Sequence, residues 1–111
     1  MFADFIGFSN IAEKLTPKQL VSDLDTCFQA FDSIIVKYGL EKIKTIGDAY
    51  LAVSGLPAIN NQHAENAILA SLEILEFIKN RKLTNPNALD IRIGIHSGPV
   101  IAGIVGVKKF A

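Results

Sequence analysis

Apolar residues recur at three- and four-residue spacing in two long stretches of the chain, which predicts two amphipathic helices. The first begins after Thr16, because Thr16, Pro17 and Gln19 supply an N-cap hydroxyl, a first-turn proline and a capping-box side chain. Gly39 ends this helix. Its apolar stripe, which we expect to face the core, consists of Leu20, Leu24, Cys27, Phe28, Phe31, Ile34, Ile35 and Tyr38.

The second helix is predicted from about Gln62 to Lys82, with Asn60 or Asn61 as its cap. The residues expected to face inward are Ala64, Ala67, Ile68, Leu72, Leu75 and Ile78, with Ile74 and Phe77 widening the stripe. His63, in the first turn, is expected to form structural hydrogen bonds, since no second His or Cys lies at metal-ligand spacing.

Residues 41–57 predict a tight β-hairpin around the two-residue turn Gly47-Asp48. The arms are rich in strand-forming side chains, namely Ile43, Thr45, Ile46, Tyr50, Leu51 and Val53. Lys44 lies on the first arm and Asp48 at the tip. Simple alternation predicts that Lys42 and Lys44 share one face.

Two further segments predict strands. The first places Asp4 at the end of an apolar strand just before Gly7, where residues 5–10 can form a loop of outward-pointing N–H groups. The second, Leu89 to Ser97, alternates, with Ile91, Ile93 and Ile95 on one face and Arg92, Gly94 and His96 on the other. The glycines of residues 98–106 predict a small-residue strand or bend.

The resulting order of elements predicts one α/β (α+β) domain, a ferredoxin-like βαββαβ sheet with its helices on one face. The chain of 111 residues has room for one such domain, and 50% hydrophobic residues suffice for a core. We treat residues 1–111 as a single domain. The fold alone does not decide function.

The charges exclude some functions. Eleven basic and eleven acidic residues leave no net charge, which argues against a nucleic-acid or membrane-surface partner through bulk electrostatics. The lone Cys27 cannot form an intramolecular disulfide and is expected to be a buried, unreactive thiol. With no secretory signal and no apolar run long enough to span a bilayer, a reducing, cytosolic setting is expected.

The candidate chemistry is a pair of carboxylates. Asp4 and Asp48 are predicted at the ends of adjacent strands, where the backbone holds them in place. Hard cations prefer rigidly placed oxygen donors. The sequence therefore makes a metal site plausible at this edge of the sheet.

Three ordered segments resemble the catalytic domain of class III adenylyl and guanylyl cyclases: FADFIGFS, EKIKTIGDAYLAVSGLP and RIGIHSGPVIAGIVG. The resemblance covers essentially the whole chain, with Ser9 where the family usually has Thr. In the family the chain continues beyond the position of Ala111 into a Trp-Gly-Asp-like turn and an Asn…Arg pair. The resemblance thus implies a fragment of the domain, expected to be part of a larger, membrane-tethered or multidomain protein.

The resemblance implies an adenylate cyclase that converts ATP to 3′,5′-cyclic AMP and pyrophosphate with two Mg²⁺ ions, or Mn²⁺. Asp4 and Asp48, with Phe5, would form the metal set. Lys44 lies where the family reads the purine; adenylyl cyclases have Lys there and guanylyl cyclases an acidic residue. The phosphate-binding residues would be Phe5, Ile6, Gly7, Phe8, Ser9 and Arg92.

The resemblance also implies a head-to-tail homodimer whose composite sites combine metal aspartates from one protomer with the lysine of the other. Without the Asn…Arg segment, the 111-residue chain is expected to turn over little or nothing. Competing interpretations are a guanylate cyclase, a diguanylate-cyclase or polymerase-palm relative, a degenerate cyclase-homology module that dimerises or regulates, and a plain interaction domain. Among the enzymes, a diguanylate cyclase would normally carry a Gly-Gly-acidic hairpin in place of residues 45–48.

Overall fold

The computed structural model describes residues 1–7, 13–55, 62–85, 88–97, 104–105 and 109–110. Within them the elements are β1 (Phe2–Ile6), α1 (Pro17–Lys37), β2 (Glu41–Ile46), β3 (Ala49–Val53), α2 (His63–Thr84), β4 (Asp90–Gly94), β5 (Ile104–Val105) and β6 (Lys109–Phe110). No helix among these residues is long and apolar enough to span a membrane.

Strands β1 to β4 form one antiparallel sheet in the order β2-β3-β1-β4, which confirms the predicted βαββαβ arrangement. Strand β1 therefore lies in the middle, between β3 and β4. Strands β5 and β6 pair separately as a two-stranded sheet. Strand β4 is shorter than the predicted 89–97, and the remainder of residues 98–106 apart from β5 lies outside the described residues.

The helices cover one face of the four-stranded sheet and enclose an aromatic core. Phe5 of β1, Tyr50 of β3 and Phe31 of α1 are buried there, and ring centroids in this cluster lie 5.6 to 6.3 Å apart. Ala3 is also buried. Because successive strand residues point to opposite faces, burial of Ala3 and Phe5 fixes Asp4 on the uncovered face of the sheet. We call this uncovered face the open face.

Helix α1 begins as predicted. The backbone N–H of Gln19 donates to Thr16 Oγ1 at 3.1 Å, and the N–H of Thr16 donates to Gln19 Oε1 at 3.0 Å, which completes the capping box. Gly39 follows the helix with a φ of 73°. Cys27 is fully buried, and burial raises the pKa of its thiol, in keeping with the predicted unreactive role.

The predicted inward face of the second helix is half right: Ala67, Ile74 and Ile78 are buried and Phe77 is partly buried against the core, but the other four residues are not. The buried residues of α2 are Ala67, Ala70, Ser71, Ile74 and Ile78, whereas Ala64, Ile68, Leu72 and Leu75 are exposed. Apolar residues surround most of this helix, so periodicity alone could not choose the buried face. The small side chains of the buried stripe let the helix approach its neighbours closely. The proposed caps Asn60 and Asn61 lie outside the described residues.

Strand β2 contains an irregularity that changes which side chains share a face. Lys42 pairs with Ala52 and Lys44 pairs with Leu51, so Ile43 is an extra residue in the strand. Directly paired residues point to the same face. Lys42 therefore lies on the helix-covered face with the buried Ala52, and Lys44 lies on the open face. The prediction that the two lysines share a face was wrong because a bulge inverts the alternation.

Candidate functional site

The open face of the sheet carries three of the residues that the sequence singles out. Register places Asp4 of β1 directly opposite Ala49 of β3 and opposite Arg92 of β4. Lys44 lies on the same face but two strands away from Asp4, in β2. Since neighbouring strands are about 4.8 Å apart, Lys44 and Asp4 belong to different parts of this face, separated by roughly 10 Å or more between their backbones.

Asp4 lies in the middle of β1, not at its end as predicted, because the strand continues to Ile6. It is nevertheless next to the hairpin tip. Asp4 pairs with Ala49, and Asp48 immediately precedes Ala49 in the chain. Asp48 thus lies in the hairpin turn one position before the residue that pairs with Asp4, and the candidate metal pair stays a prediction.

The hairpin tip that carries Asp48 is a two-residue turn between the paired residues Ile46 and Ala49. Gly47 has a φ of 57°, while Asp48 has no positive φ, and this combination is typical of a type II′ turn. Only glycine adopts the first of these conformations without strain. The turn therefore confirms the predicted hairpin and fixes the backbone of Asp48.

The guanidinium of Arg92 forms a bidentate contact with the carboxylate of Asp4. Arg92 Nε donates to Asp4 Oδ1 at 2.8 Å, and Nη2 donates to Oδ2 at 3.3 Å. The Asp4 side chain is 26% exposed and that of Arg92 is 74% exposed. Hydrogen bonds from the guanidinium to Asp4 raise the pKa of Arg92. Sequence reasoning assigned both residues to the site but did not predict that they pair.

The predicted phosphate loop divides between strand and turn. Phe5 and Ile6 belong to β1, which corrects their assignment to the loop, while Gly7 has the expected positive φ of 65°. Because the Phe5 side chain is buried in the core, only its backbone could contribute to a site. Phe8 and Ser9 lie outside the described residues.

The residues present fit a hard divalent cation in their chemistry. Asp4 and Asp48 supply carboxylate oxygens, the donors that Mg²⁺ and Mn²⁺ prefer, and the backbone carbonyl of Phe5 is a donor of the same kind. The guanidinium of Arg92 already places a positive charge against both oxygens of Asp4. Within the described part of the chain no cluster of three or more His, Cys, Asp or Glu could hold a metal. Further ligands would therefore have to be backbone, water or substrate oxygens.

Two other polar contacts stabilise the frame of the site. His63 Nε2 lies 2.9 Å from Ser97 Oγ, which ties the start of α2 to the segment after β4 and agrees with the structural role expected for this histidine. On the covered face, the buried Tyr50 donates its hydroxyl to Asp32 Oδ1 at 2.5 Å. Burial, followed by the bond to Asp32, raises the pKa of Tyr50.

Lys42 completes a cluster with Asp32 and Tyr50 that sequence reasoning missed. Lys42 Nζ lies 3.2 Å from Asp32 Oδ1 and 5.4 Å from the centroid of the Tyr50 ring. This cluster joins α1 to β2 and β3. The sequence does contain an Asp on the predicted helix and a tyrosine and a lysine on the predicted hairpin. Their contact could not be predicted, because Lys42 reaches this face only through the bulge, which the sequence did not reveal.

Fold and open face together define a ferredoxin-like α+β domain with one carboxylate, Asp4, on a central strand and another, Asp48, in the neighbouring hairpin turn. The chain belongs to the adenylate and guanylate cyclase catalytic domain family, whose family model matches residues 1–111. This result confirms the predicted family and fold. It also agrees with the divalent-metal chemistry that the resemblance implies for the family.

Similarity to individual proteins supports the same assignment. The chain is 42% identical over 107 residues to a membrane guanylyl cyclase of Dictyostelium discoideum, covering 96% of the chain and 7% of that protein. The solved guanylate cyclase domain of RhGC from Catenaria anguillulae, in complex with GTP, superposes with a TM-score of 0.88 at 37% identity. That match covers 98% of this chain and 60% of the solved one.

The adenylyl cyclase CyaB from P. aeruginosa is also similar in structure. Its TM-score is 0.87 at 26% identity, with 96% of this chain and 58% of that chain covered. The chain therefore spans a small part of the curated relative and somewhat less than two thirds of the solved catalytic domains. Both guanylyl and adenylyl cyclases share its fold.

Proposed function

We propose that this chain is part of a nucleotide cyclase that converts a purine nucleoside triphosphate to its 3′,5′-cyclic monophosphate and pyrophosphate. The observation that carries the proposal is the register of β1 with β3, which brings Asp4 next to the Asp48 turn on a face that also carries Arg92. Membership of the cyclase family supports it. The activity is proposed for the full-length protein, of which this chain need be only a part.

The reaction forms a bond between the ribose 3′-oxygen and the α-phosphorus and breaks the bond from that phosphorus to pyrophosphate. Asp4 and Asp48, with the backbone of Phe5, would hold two divalent cations. Such ions supply Lewis acidity toward the 3′-hydroxyl and the α-phosphate. Arg92 would bind phosphate oxygens, since its planar fork suits them bidentately, and so would position the nucleotide and offset charge on the leaving group.

The backbone N–H groups that begin at Gly7 would contact the triphosphate as well. The positive φ of Gly7 supports a tight turn after β1 at this point. Ile6, Phe8 and Ser9 complete the proposed phosphate-binding segment. Backbone N–H groups carry no net charge, so Arg92 is the cationic side chain that we assign to the phosphates.

The observations on the nucleobase favour two different substrates. The relatives favour GTP, because the Dictyostelium protein and the Catenaria domain are both guanylyl cyclases and the latter was solved with GTP. Lys44 favours ATP, because the cyclase resemblance places a lysine at the purine-reading position of adenylyl cyclases. We take GTP as the candidate better supported by the comparisons and ATP as the candidate that rests on Lys44.

We also infer a dimer with composite sites and a cytosolic position for the domain. Lys44 and Asp4 lie on the same face two strands apart. The cyclase resemblance assigns the lysine of each composite site to the second protomer, and this supports the dimer. A relative described as a membrane guanylyl cyclase supports a catalytic domain attached to a larger protein.

The proposal is tested by assaying the full-length protein for cyclic nucleotide and pyrophosphate with ATP and with GTP, each with Mg²⁺ or Mn²⁺. We expect equal amounts of the two products and no activity in the presence of a metal chelator. Asp48→Asn should abolish turnover, while Asp90→Asn, which alters a carboxylate of β4 paired with Lys82, should leave it intact. Absence of cyclic nucleotide with both substrates would refute the proposed activity, and product formation that survives the chelator or Asp48→Asn would refute the metal assignment.

A further inference from the structure

Arg92 and Asp4 face each other because the sheet register places them so. They are directly opposed residues of β4 and β1, and both are on the open face. Both nitrogens of the contact reach separate oxygens of one carboxylate, at 2.8 and 3.3 Å. The pair therefore occupies both oxygens of the residue to which the proposed function assigns the metal.

Asp4 and Arg92 differ in how freely their side chains can move. Asp4 is on a central strand between two hydrogen-bonded neighbours, and its side chain is three-quarters buried. Arg92 is on β4, an edge strand of the four-stranded sheet, with a long and mostly exposed side chain. When the contact breaks, the guanidinium moves and the carboxylate stays. Because the Arg92 side of the pair is mostly exposed, water and salt screen the attraction, and a competing ligand can replace the contact.

A divalent cation and the guanidinium cannot use the same carboxylate oxygens at once. A cation arriving alone must displace Arg92 and then meets its positive charge nearby. A nucleotide changes this balance, because its phosphates offer the guanidinium another pair of oxygens in bidentate geometry. Once Arg92 moves to the phosphates, both oxygens of Asp4 are available to metal.

We propose that Arg92 is an exchangeable counter-ion of Asp4, which holds the metal site closed to free divalent cations until a nucleotide takes up the guanidinium. The inference rests on the proposed function and adds the order in which nucleotide and metal bind. Binding of metal and binding of nucleotide then favour each other, and by linkage the effect is equal in both directions. Arg92 is thus a binding residue for phosphate that also regulates access to Asp4.

The test measures Mn²⁺ affinity by calorimetry on the full-length protein, first with the metal alone and then with a 3′-deoxynucleoside triphosphate, which cannot cyclise. Arg92→Met removes the charge and keeps much of the length. We expect it to bind Mn²⁺ alone roughly 1.5-fold to fivefold more tightly than the unaltered protein, the range that corresponds to a weak ion pair. We also expect the variant to lose most of the increase that the nucleotide causes.

Lys82→Met is the matched control, since it removes a positive charge whose ion pair is with Asp90 instead of Asp4. It should leave Mn²⁺ affinity unchanged. Unchanged or weaker binding of Mn²⁺ alone in Arg92→Met, with circular dichroism showing a folded protein, would overturn the proposed counter-ion. If Arg92→Met does not fold, Arg92→Lys replaces it. A lysine cannot bind both carboxylate oxygens bidentately, so this variant should also bind Mn²⁺ alone more tightly than the unaltered protein.

Failure of the proposed function has a different signature. If Asp4→Asn binds Mn²⁺ with nucleotide as well as the unaltered protein does, Asp4 is not a metal ligand and both proposals fall. If Asp4→Asn abolishes Mn²⁺ binding but Arg92→Met changes nothing, only the inference about Arg92 falls.

Discussion

Lys42 and Lys44 are two residues apart in one strand, yet they lie on opposite faces of the sheet because Ile43 is bulged between them. Lys42 is tied to Asp32 and to the ring of Tyr50 on the covered face. Lys44 lies on the open face with Asp4 and Arg92. The bulge thus separates a structural lysine from one that is available to a ligand.

Lys44→Glu in the full-length protein should shift substrate preference from ATP toward GTP. An ammonium can donate to a ring nitrogen of adenine but cannot accept from the N–H and amino group of guanine, and an unpaired polar edge costs about 1 to 3 kcal/mol. One contact on that scale is a roughly tenfold to hundredfold change in the ATP to GTP ratio of kcat/KM. The ratio is measured with both nucleotides in competition.

Lys42→Gln is the natural control for Lys44→Glu, because it alters the neighbouring lysine on the other face. It should change stability slightly and leave the ratio alone. A folded, active Lys44→Glu enzyme with an unaltered ratio would show that Lys44 does not read the base. An unaltered protein that already prefers GTP would favour the guanylate cyclase candidate regardless of Lys44.

Asp4→Asn should reduce cyclase activity of the full-length protein on the order of a hundredfold or more, because the amide cannot supply a charged oxygen to a cation. Raising the Mn²⁺ concentration should restore part of the loss if the remaining ligands still hold the metal. The measurement is initial rate against metal concentration. Wild-type rates at every Mn²⁺ concentration would remove Asp4 from the metal set.

Tyr50→Phe should destabilise the domain by about 1 to 2 kcal/mol, the cost of losing a hydrogen bond to a carboxylate that is partly exposed. Urea unfolding of the 111-residue chain measures the difference. Tyr38→Phe, which removes a half-buried hydroxyl that donates to Glu73 at 3.1 Å, is a comparison of similar chemistry. Equal stability of Tyr50→Phe and the unaltered chain would show that the Asp32 contact contributes nothing.

The pH dependence of the same pair has a definite sign. Burial raises the pKa of Tyr50 above its ordinary value of 10.0, so above that pH the unfolded chain loses a proton that the folded chain keeps. Stability then falls as pH rises, with a slope of up to about 1.4 kcal/mol per pH unit from this group. Tyr50→Phe should remove that part of the alkaline decline. The difference between the two proteins at pH 9 to 11 isolates it.

Much of the fold followed from local signals that tertiary structure does not override. The Thr16 capping box and the Gly47 turn each fix backbone by contacts within a few residues, and both were predicted correctly. The pairing of Arg92 with Asp4 was not predicted, because it depends on the register between strands 88 residues apart. The same limit hid the bulge at Ile43, where one extra residue inverts every later side chain in the strand.

The exposed face of α2 leads to a prediction that concerns association. Ile68, Leu72 and Leu75 are 49%, 58% and 41% exposed and follow helical spacing along one face. An apolar stripe of this kind favours contact with another apolar surface. We expect the 111-residue chain to self-associate in sedimentation velocity as its concentration rises, and Leu72→Lys to shift it toward monomer. A chain that stays monomeric at every concentration would contradict the expectation.

The two kinds of position on this helix should differ in their effect on stability. Because Leu72 is exposed, Leu72→Lys should change the free energy of unfolding by no more than about 0.5 kcal/mol. Ile74→Ala, at a fully buried position of the same helix, should instead cost about 2 to 5 kcal/mol.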